Sequence, residues 1–337
     1  MRAWHQGNPA VTANRIAKWD GTNWSSLGNG LNSSVTAIAI DSNNNIYVGG
    51  SFTQANAVVG NPAVTANRIA KWDGTNWSAL GNGLNGSVTV TAIAIDSNNN
   101  IYVGGSFTQA NAVGGNHAVN INYIAKWDGT NWSSLGNGLN GSVIAIAIDS
   151  NNNIYVGGSF TQANAVVGNP AVTANRIAKW DGTNWSALNG GASSTVNAIA
   201  IDSNNNIYVG GSFTYLYNGN NIDKQNSPLY AFCIGKWNGT NWTPLKGGVS
   251  STVNTLAIGT RSSKLLIGGS YSTIYNNSTF ASPVIVNNIS SSSLLNTTPW
   301  NISLYVNNKF LYSMNPNTII NANVTDTNNV YTNGPVV

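Results

Sequence analysis

The chain has 337 residues, of which 42% are hydrophobic and only 7% charged, with fourteen Lys and Arg against ten acidic residues, all of them Asp, and a net charge of +4. So large an apolar share excludes a highly charged disordered chain, and the surface must be covered by uncharged Asn, Ser, Thr and Gly. The cations form no dense patch, since Lys18, Lys71, Lys126 and Lys179 share one repeat position, which argues against nucleic acid as a partner. No apolar run reaches the roughly 18 residues that span a bilayer, and the lone Cys233 excludes an intramolecular disulfide.

The first predicted element is half a unit. Residues 15–28 hold RIAKWD and WSSL, two short strands joined at a GTN turn. The phrase IAKWDGTNWS then returns, opening at Trp19, Trp72, Trp127, Trp180 and Trp237, every 53 to 57 residues. Full units are predicted at 35–80, 88–135, 143–188, 196–245 and 253–312. In the unit 88–135, VTAIAI runs up to Asp96 as the first strand and IYVGGSF starts the second at Ile101. YIAKWD from Tyr123 is the third, and WSSL from Trp132 the fourth. Asp96 and Asp128 cap tight turns whose Asn and Gly accept a positive φ. At the far end, residues 318–334 mirror the first two strands of a unit, with Asp326 and Tyr331 standing where Asp41 and Tyr47 stand.

A four-stranded antiparallel meander with apolar residues on both faces needs a neighbour on each side. Radial stacking supplies both, so the expected fold is all-β: a single β-propeller domain over 1–337. The half-units 15–28 and 318–334 would complete one another, giving six four-stranded blades closed by N- and C-terminal strands in one shared blade. The degenerate stretch 272–312 leaves five or seven blades open as alternatives.

The order of the strands, a second strand ending in Gly-Gly, an aromatic in the third and a Trp opening the fourth resembles the kelch repeat of galactose-oxidase-type propellers. The marks are Gly49-Gly50, Trp19 and Trp24, with copies at Gly104-Gly105, Gly157-Gly158, Gly210-Gly211 and Gly268-Gly269. The resemblance implies the propeller fold and fixes no activity, because propellers host enzymes, lectins and scaffolds alike.

Alternating strand direction sends the DSNNN and DGTN turns to one face and the long loops after GGSF to the other. Length variation gathers on the second face, where contact with a partner is expected. Its loop 214–233 carries Tyr215, Tyr217, Tyr230 and Phe232 beside Asn218, Asp223 and Lys224, a candidate surface for a protein or a glycan. Catalysis lacks material. Copper oxidation of the galactose-oxidase kind needs imidazoles and a Tyr-Cys pair, whereas only His5, His117 and Cys233 are present. Eight of the ten Asp are repeat positions and read as turn-formers before catalytic acids, leaving Asp223 and Asp326. DSNNN lacks the further carboxylate that a calcium loop requires. The expectation is therefore a non-enzymatic surface or interaction propeller without metal or cofactor, with a carbohydrate-binding propeller as the alternative. Its partners would be a protein or further copies of itself, in an extracellular, cell-surface or virion setting.

Overall fold

The computed structural model describes residues 10–55, 62–85, 89–110, 118–163, 171–219, 228–259 and 264–276, and the backbone of 302–306, 309–314 and 330–331. The chain divides into two compact units, Met1–Asn276 and Asn277–Val337. All regular structure among the described residues is β.

In the first unit, four antiparallel sheets of four strands follow one another in chain order. Blade I comprises Val35–Ile40, Ile46–Gly50, Ile69–Trp72 and Trp77–Ala79. Blade II comprises Val90–Ile95, Ile101–Gly105, Ile124–Trp127 and Trp132–Ser134. Blade III comprises Val143–Ile148, Ile154–Gly158, Ile177–Trp180 and Trp185–Ala187, and blade IV Val196–Ile201, Ile207–Gly211, Ile234–Trp237 and Trp242–Pro244. Two half-sheets flank them. Ala17–Trp19 pairs with Trp24–Ser26, and Val253–Ile258 pairs with Leu265–Gly269. In the second unit, Ile302–Val306 pairs with both Lys309–Met314 and Val330–Tyr331.

Each sheet is amphipathic on neither face, and the cores accordingly lie between blades. One cluster joins Ile69 and Leu80 of blade I to Val103, Phe107, Trp127 and Trp132 of blade II. The next repeats it with Ile124 and Leu135 against Val156, Phe160, Trp180 and Trp185. Close approach of the inner strands requires glycine: a Cβ on Gly49 would lie 2.3 Å from Val90 Cγ1, and one on Gly104 2.4 Å from Val143 Cγ1.

Three polar devices repeat with the blades. The indole of each fourth-strand Trp donates to a leucine carbonyl of the preceding outer hairpin: Trp77 to Leu27 at 3.0 Å, Trp132 to Leu80 at 2.9 Å, Trp185 to Leu135 at 2.8 Å and Trp242 to Leu188 at 2.8 Å. In the DSNNN turns the penultimate Asn is left-handed (Asn44 φ 61°, Asn99 φ 61°, Asn152 φ 60°). Its amide also clasps the serine of the turn before it, as in the Ser42–Asn99, Ser97–Asn152 and Ser150–Asn205 pairs. The turn aspartate is the third. Asp41 accepts from the backbone of Asn43 and Asn45, the Asn45 amide and the Tyr47 hydroxyl.

Blades I to IV run over residues 35–79, 90–134, 143–187 and 196–244, and much of the unit expected at 253–312 lies outside the described residues. The expected closing partnership of 15–28 with 318–334 falls largely outside the described residues, since only Val330–Tyr331 of the second segment is described. Among the described residues no sheet joins the two ends of the chain.

Candidate interaction surface

After the Gly-Gly of each second strand the chain forms a two-residue ribbon: Gln54–Ala55 with Val64–Thr65, Gln109–Ala110 with Val119–Asn120, and Gln162–Ala163 with Val172–Thr173. Blade IV breaks the rule. There Tyr215 pairs with Tyr230 and Leu216 with Leu229, so tyrosines replace the Gln and Thr of the Gln54–Thr65 pair. Phe232 occupies the position of Asn67, Asn122 and Asn175, whose amides elsewhere donate to the carbonyls of Asn82, Asn137 and Gly190.

The replaced side chains form a chain of touching rings. Tyr215 meets Tyr217 at 6.5 Å between centroids and Tyr230 edge-on at 4.8 Å. Tyr230 stacks on Phe232 at 5.9 Å, and Phe232 meets Tyr275, six residues beyond the end of the Val253–Gly269 half-sheet, at 6.3 Å. All five rings are half-buried. Burial pushes the Tyr217 hydroxyl above its ordinary pKa; burial and a hydrogen bond with Tyr215 do the same for Tyr230. Tyr217 and Tyr230 therefore present neutral phenol hydroxyls throughout the physiological range.

Its mounting is specific to this blade. Leu216 is fully buried where the other ribbons place Ala55, Ala110 and Ala163. Space for the larger side chain comes from Gly235, which stands where blades I to III have Ala70, Ala125 and Ala178; a Cβ there would lie 2.1 Å from Leu216 Cδ1. The ribbon is widened by a third strand, Gly191–Ala192, paired with Tyr217 and Leu216.

Of the residues predicted for contact, Tyr215, Tyr217, Tyr230 and Phe232 are brought together in this strip. Asn218 lies beside them in another role: its Oδ1 accepts from the Trp242 backbone at 2.6 Å and its Nδ2 donates to the Trp242 carbonyl at 3.0 Å, tying the ribbon to the fourth strand. Asp223 and Lys224 lie outside the described residues. Sequence reasoning missed Tyr275. The signal was present, because Tyr217 and Tyr275 stand at one offset from Gly210-Gly211 and Gly268-Gly269, each followed by Asn.

Elsewhere the ionisable groups are committed to turns. Asp20, Asp73, Asp128 and Asp181 each accept two backbone N–H groups of their own turn, which hold their carboxyls below the usual carboxylate range. Burial raises the Asp41 pKa, but donors from Asn45, Asn43 and Tyr47 outweigh it and leave the net shift downward. Burial and the adjacent Asp41 charge push the Tyr47 hydroxyl up to about 12. Lys71, Lys126, Lys179 and Lys236 lie over the rings of Tyr47, Tyr102, Tyr155 and Tyr208 at 5.6 to 6.0 Å. Among the described residues, no cluster of three His, Cys or Asp side chains is placed to hold a metal ion.

Two family models match. The Rax2 C-terminal β-propeller domain covers residues 78–169, and a β-propeller repeat termed SBBP covers residues 184–212. Both describe β-propellers; neither is the kelch repeat. No curated protein matches the sequence. Among solved structures, the extracellular domain of a one-component system from B. thetaiotaomicron aligns at 11% identity and TM-score 0.40, over 76% of this chain and 34% of its own. PorZ, a surface component of the type-IX secretion system of Porphyromonas gingivalis, aligns at 13% identity and TM-score 0.40, over 84% of this chain and 39% of its own. The chain thus spans well under half of either neighbour. The matched models and the repeated four-stranded sheets together make this chain a β-propeller repeat protein.

Proposed function

We propose that this protein is a non-enzymatic interaction propeller whose recognition surface is the aromatic strip of blade IV, extended by Tyr275. One observation carries the reading: in blades of almost identical sequence, a single ribbon exchanges Gln, Thr and Asn for touching tyrosine and phenylalanine rings and remodels the core beneath to hold them. Tyr-rich, half-exposed rings are typical anchors for a protein partner, because they present large area with few rotatable bonds. A second protein, or another copy of this chain, is the partner class that such a surface fits.

The non-enzymatic part rests on the carboxylates. All eight repeat-position Asp accept backbone N–H groups within their own turns, which assigns them a structural task in every blade. The low charge and Asn-, Ser- and Thr-rich composition suit an extracellular or particle-surface setting. A carbohydrate ligand is the second reading, favoured by phenol hydroxyls lying beside stackable rings.

The test compares the full-length protein with a Tyr215→Ser/Tyr217→Ser/Tyr230→Ser variant and with an Asn43→Ala/Asn98→Ala/Asn151→Ala variant of the exposed turns. Each is assayed by sedimentation velocity for self-association, by cross-linking to proteins of the source, and on a glycan array. Loss of the association on the tyrosine variant alone, with an unchanged melting point, is the expected result. Loss on the asparagine variant alone would place recognition on the opposite face, and glycan binding lost with the tyrosines would select the second reading.

A further inference from the structure

The two half-sheets of the first unit hold different strands of the blade pattern. Among the described residues, Ala17–Ser26 is an outer hairpin, a third and fourth strand paired with no first and second, and Val253–Gly269 an inner hairpin paired with no third and fourth. Among the described residues, five inner hairpins end in Gly-Gly, at 35–50, 90–105, 143–158, 196–211 and 253–269. The described residues likewise hold five outer hairpins with paired tryptophans, at Trp19/Trp24, Trp72/Trp77, Trp127/Trp132, Trp180/Trp185 and Trp237/Trp242. Four of each are joined in blades I to IV, so one of each is left.

Both remaining halves expose the side chains that their counterparts bury. Trp19 and Trp24 are 50% and 60% exposed, against 8% and 5% for Trp127 and Trp132. Ala17 is exposed, while Ala70, Ala125 and Ala178 are buried. In the inner hairpin, Leu266 is exposed and Leu265 and Ile267 half-buried, where the matching strand of blade II is buried throughout. Val35 of blade I is half-buried, whereas Val90, Val143, Val196 and Val253, packed on the glycine of the blade before, are fully buried. Gly268 keeps the glycine of that contact, yet among the described residues a Cβ there would meet Thr255 alone. The core cluster of Ile234, Val249 and Val253 with Leu245, Leu256 and Ile267 is the smallest of five and, among the described residues, contains no tryptophan pair, whereas each of the other four contains one.

We infer that residues 16–26 dock on residues 265–269 of the same chain, closing a ring of five blades. Register follows from blade I, where Ile46, Val48 and Gly49 face Trp72, Ala70 and Ile69; the closing sheet places Leu265, Ile267 and Gly268 opposite Trp19, Ala17 and Ile16. The Trp24 indole then donates to the Leu245 carbonyl, continuing the series from Leu27 to Leu188. The Asn254 amide reaches the Val35 carbonyl, as Asn197 reaches that of Val253 at 3.1 Å. Gly268 receives Val35. Both halves belong to one compact unit, so joining them within a chain avoids the translational and rotational entropy lost in joining two copies. Closure also removes both free sheet edges.

The experiment places cysteines at Ala17 and Ile267 in full-length protein carrying Cys233→Ser, oxidises it, and separates the products by mass without reductant. A disulfide within one chain is expected, at monomer mass and in most of the material. Ladders of disulfide-linked chains would mean that the halves complete one another between copies, and persistent free thiols would mean that they do not meet; either overturns the inference. A second comparison needs no disulfide: Trp24→Ala should lower the melting temperature as far as Trp132→Ala does. A Trp24→Ala protein melting like the parent would contradict closure even if the cysteine variant failed to fold.

Discussion

At the scale of the residue, the repeated letters separate into those that shape turns and those that bind one blade to the next. Trp132 is 5% exposed and hydrogen-bonded to Leu80, so Trp132→Ala removes packing and strands a carbonyl; a loss of about 3 to 5 kcal/mol is expected in denaturant unfolding. The turn aspartates and tyrosines give a pH signature. Tyr47 is raised in the folded protein to about 12, above the roughly 10 of a free phenol. Its contribution to stability is therefore complete below about pH 10 and lost as pH rises through about 12. Asp41 is lowered, so its contribution is present above the unfolded carboxyl value of about 4 and fades as pH falls through the folded one. Absorbance at phenolate wavelengths, recorded with circular dichroism, should show Tyr47, Tyr102 and Tyr155 ionising together with unfolding; their free titration near pH 10 in a folded protein would contradict this.

These roles were legible to different degrees. That Asp96 and Asp128 form turns followed from their neighbours, since Asp before Asn and Gly has few other uses. The inter-blade clasp of Asn99 on Ser42 was not legible, because a turn-forming Asn and a bridging Asn are written alike and only the stacking distance tells them apart.

At the scale of the element, strand pattern and Gly-Gly placement yielded blades I to IV because period-two alternation and tight turns are local signals. The ribbon of blade IV depended on a compensation across the sheet that no local pattern reveals. Leu216 fits only because Gly235 lacks a Cβ. Gly235→Ala should accordingly cost about 1 to 3 kcal/mol by overpacking, and adding Leu216→Ala, which restores the Ala–Ala pair of the other blades, should recover most of it. Thermal melting of the two single variants and the double variant measures the coupling; strictly additive losses would show that the two positions do not share the space. The aromatic candidates Tyr215, Tyr217, Tyr230 and Phe232 were readable as departures from a repeat, whereas Asn218 looked like a contact and serves as a tie to Trp242.

At the scale of the whole molecule, near-identical blades make a scaffold in which the described interfaces solve one packing problem, and blade IV departs from the others in its aromatic ribbon. The expectation of six blades came from matching 318–334 to an inner hairpin by its Asp and Tyr. The count of five Gly-Gly hairpins against five tryptophan hairpins among the described residues points to closure without that segment. Cooperativity then belongs to residues 16–276 as a ring, because removing any one inter-blade contact opens two faces. Thermal unfolding of the chain lacking residues 318–337, set beside the full-length protein, tests this account most directly. A ring closed by residues 16–26 on 265–269 keeps its melting temperature and its single sharp transition, whereas a fall of about 10 °C or more would show that the closing strands lie in the deleted segment.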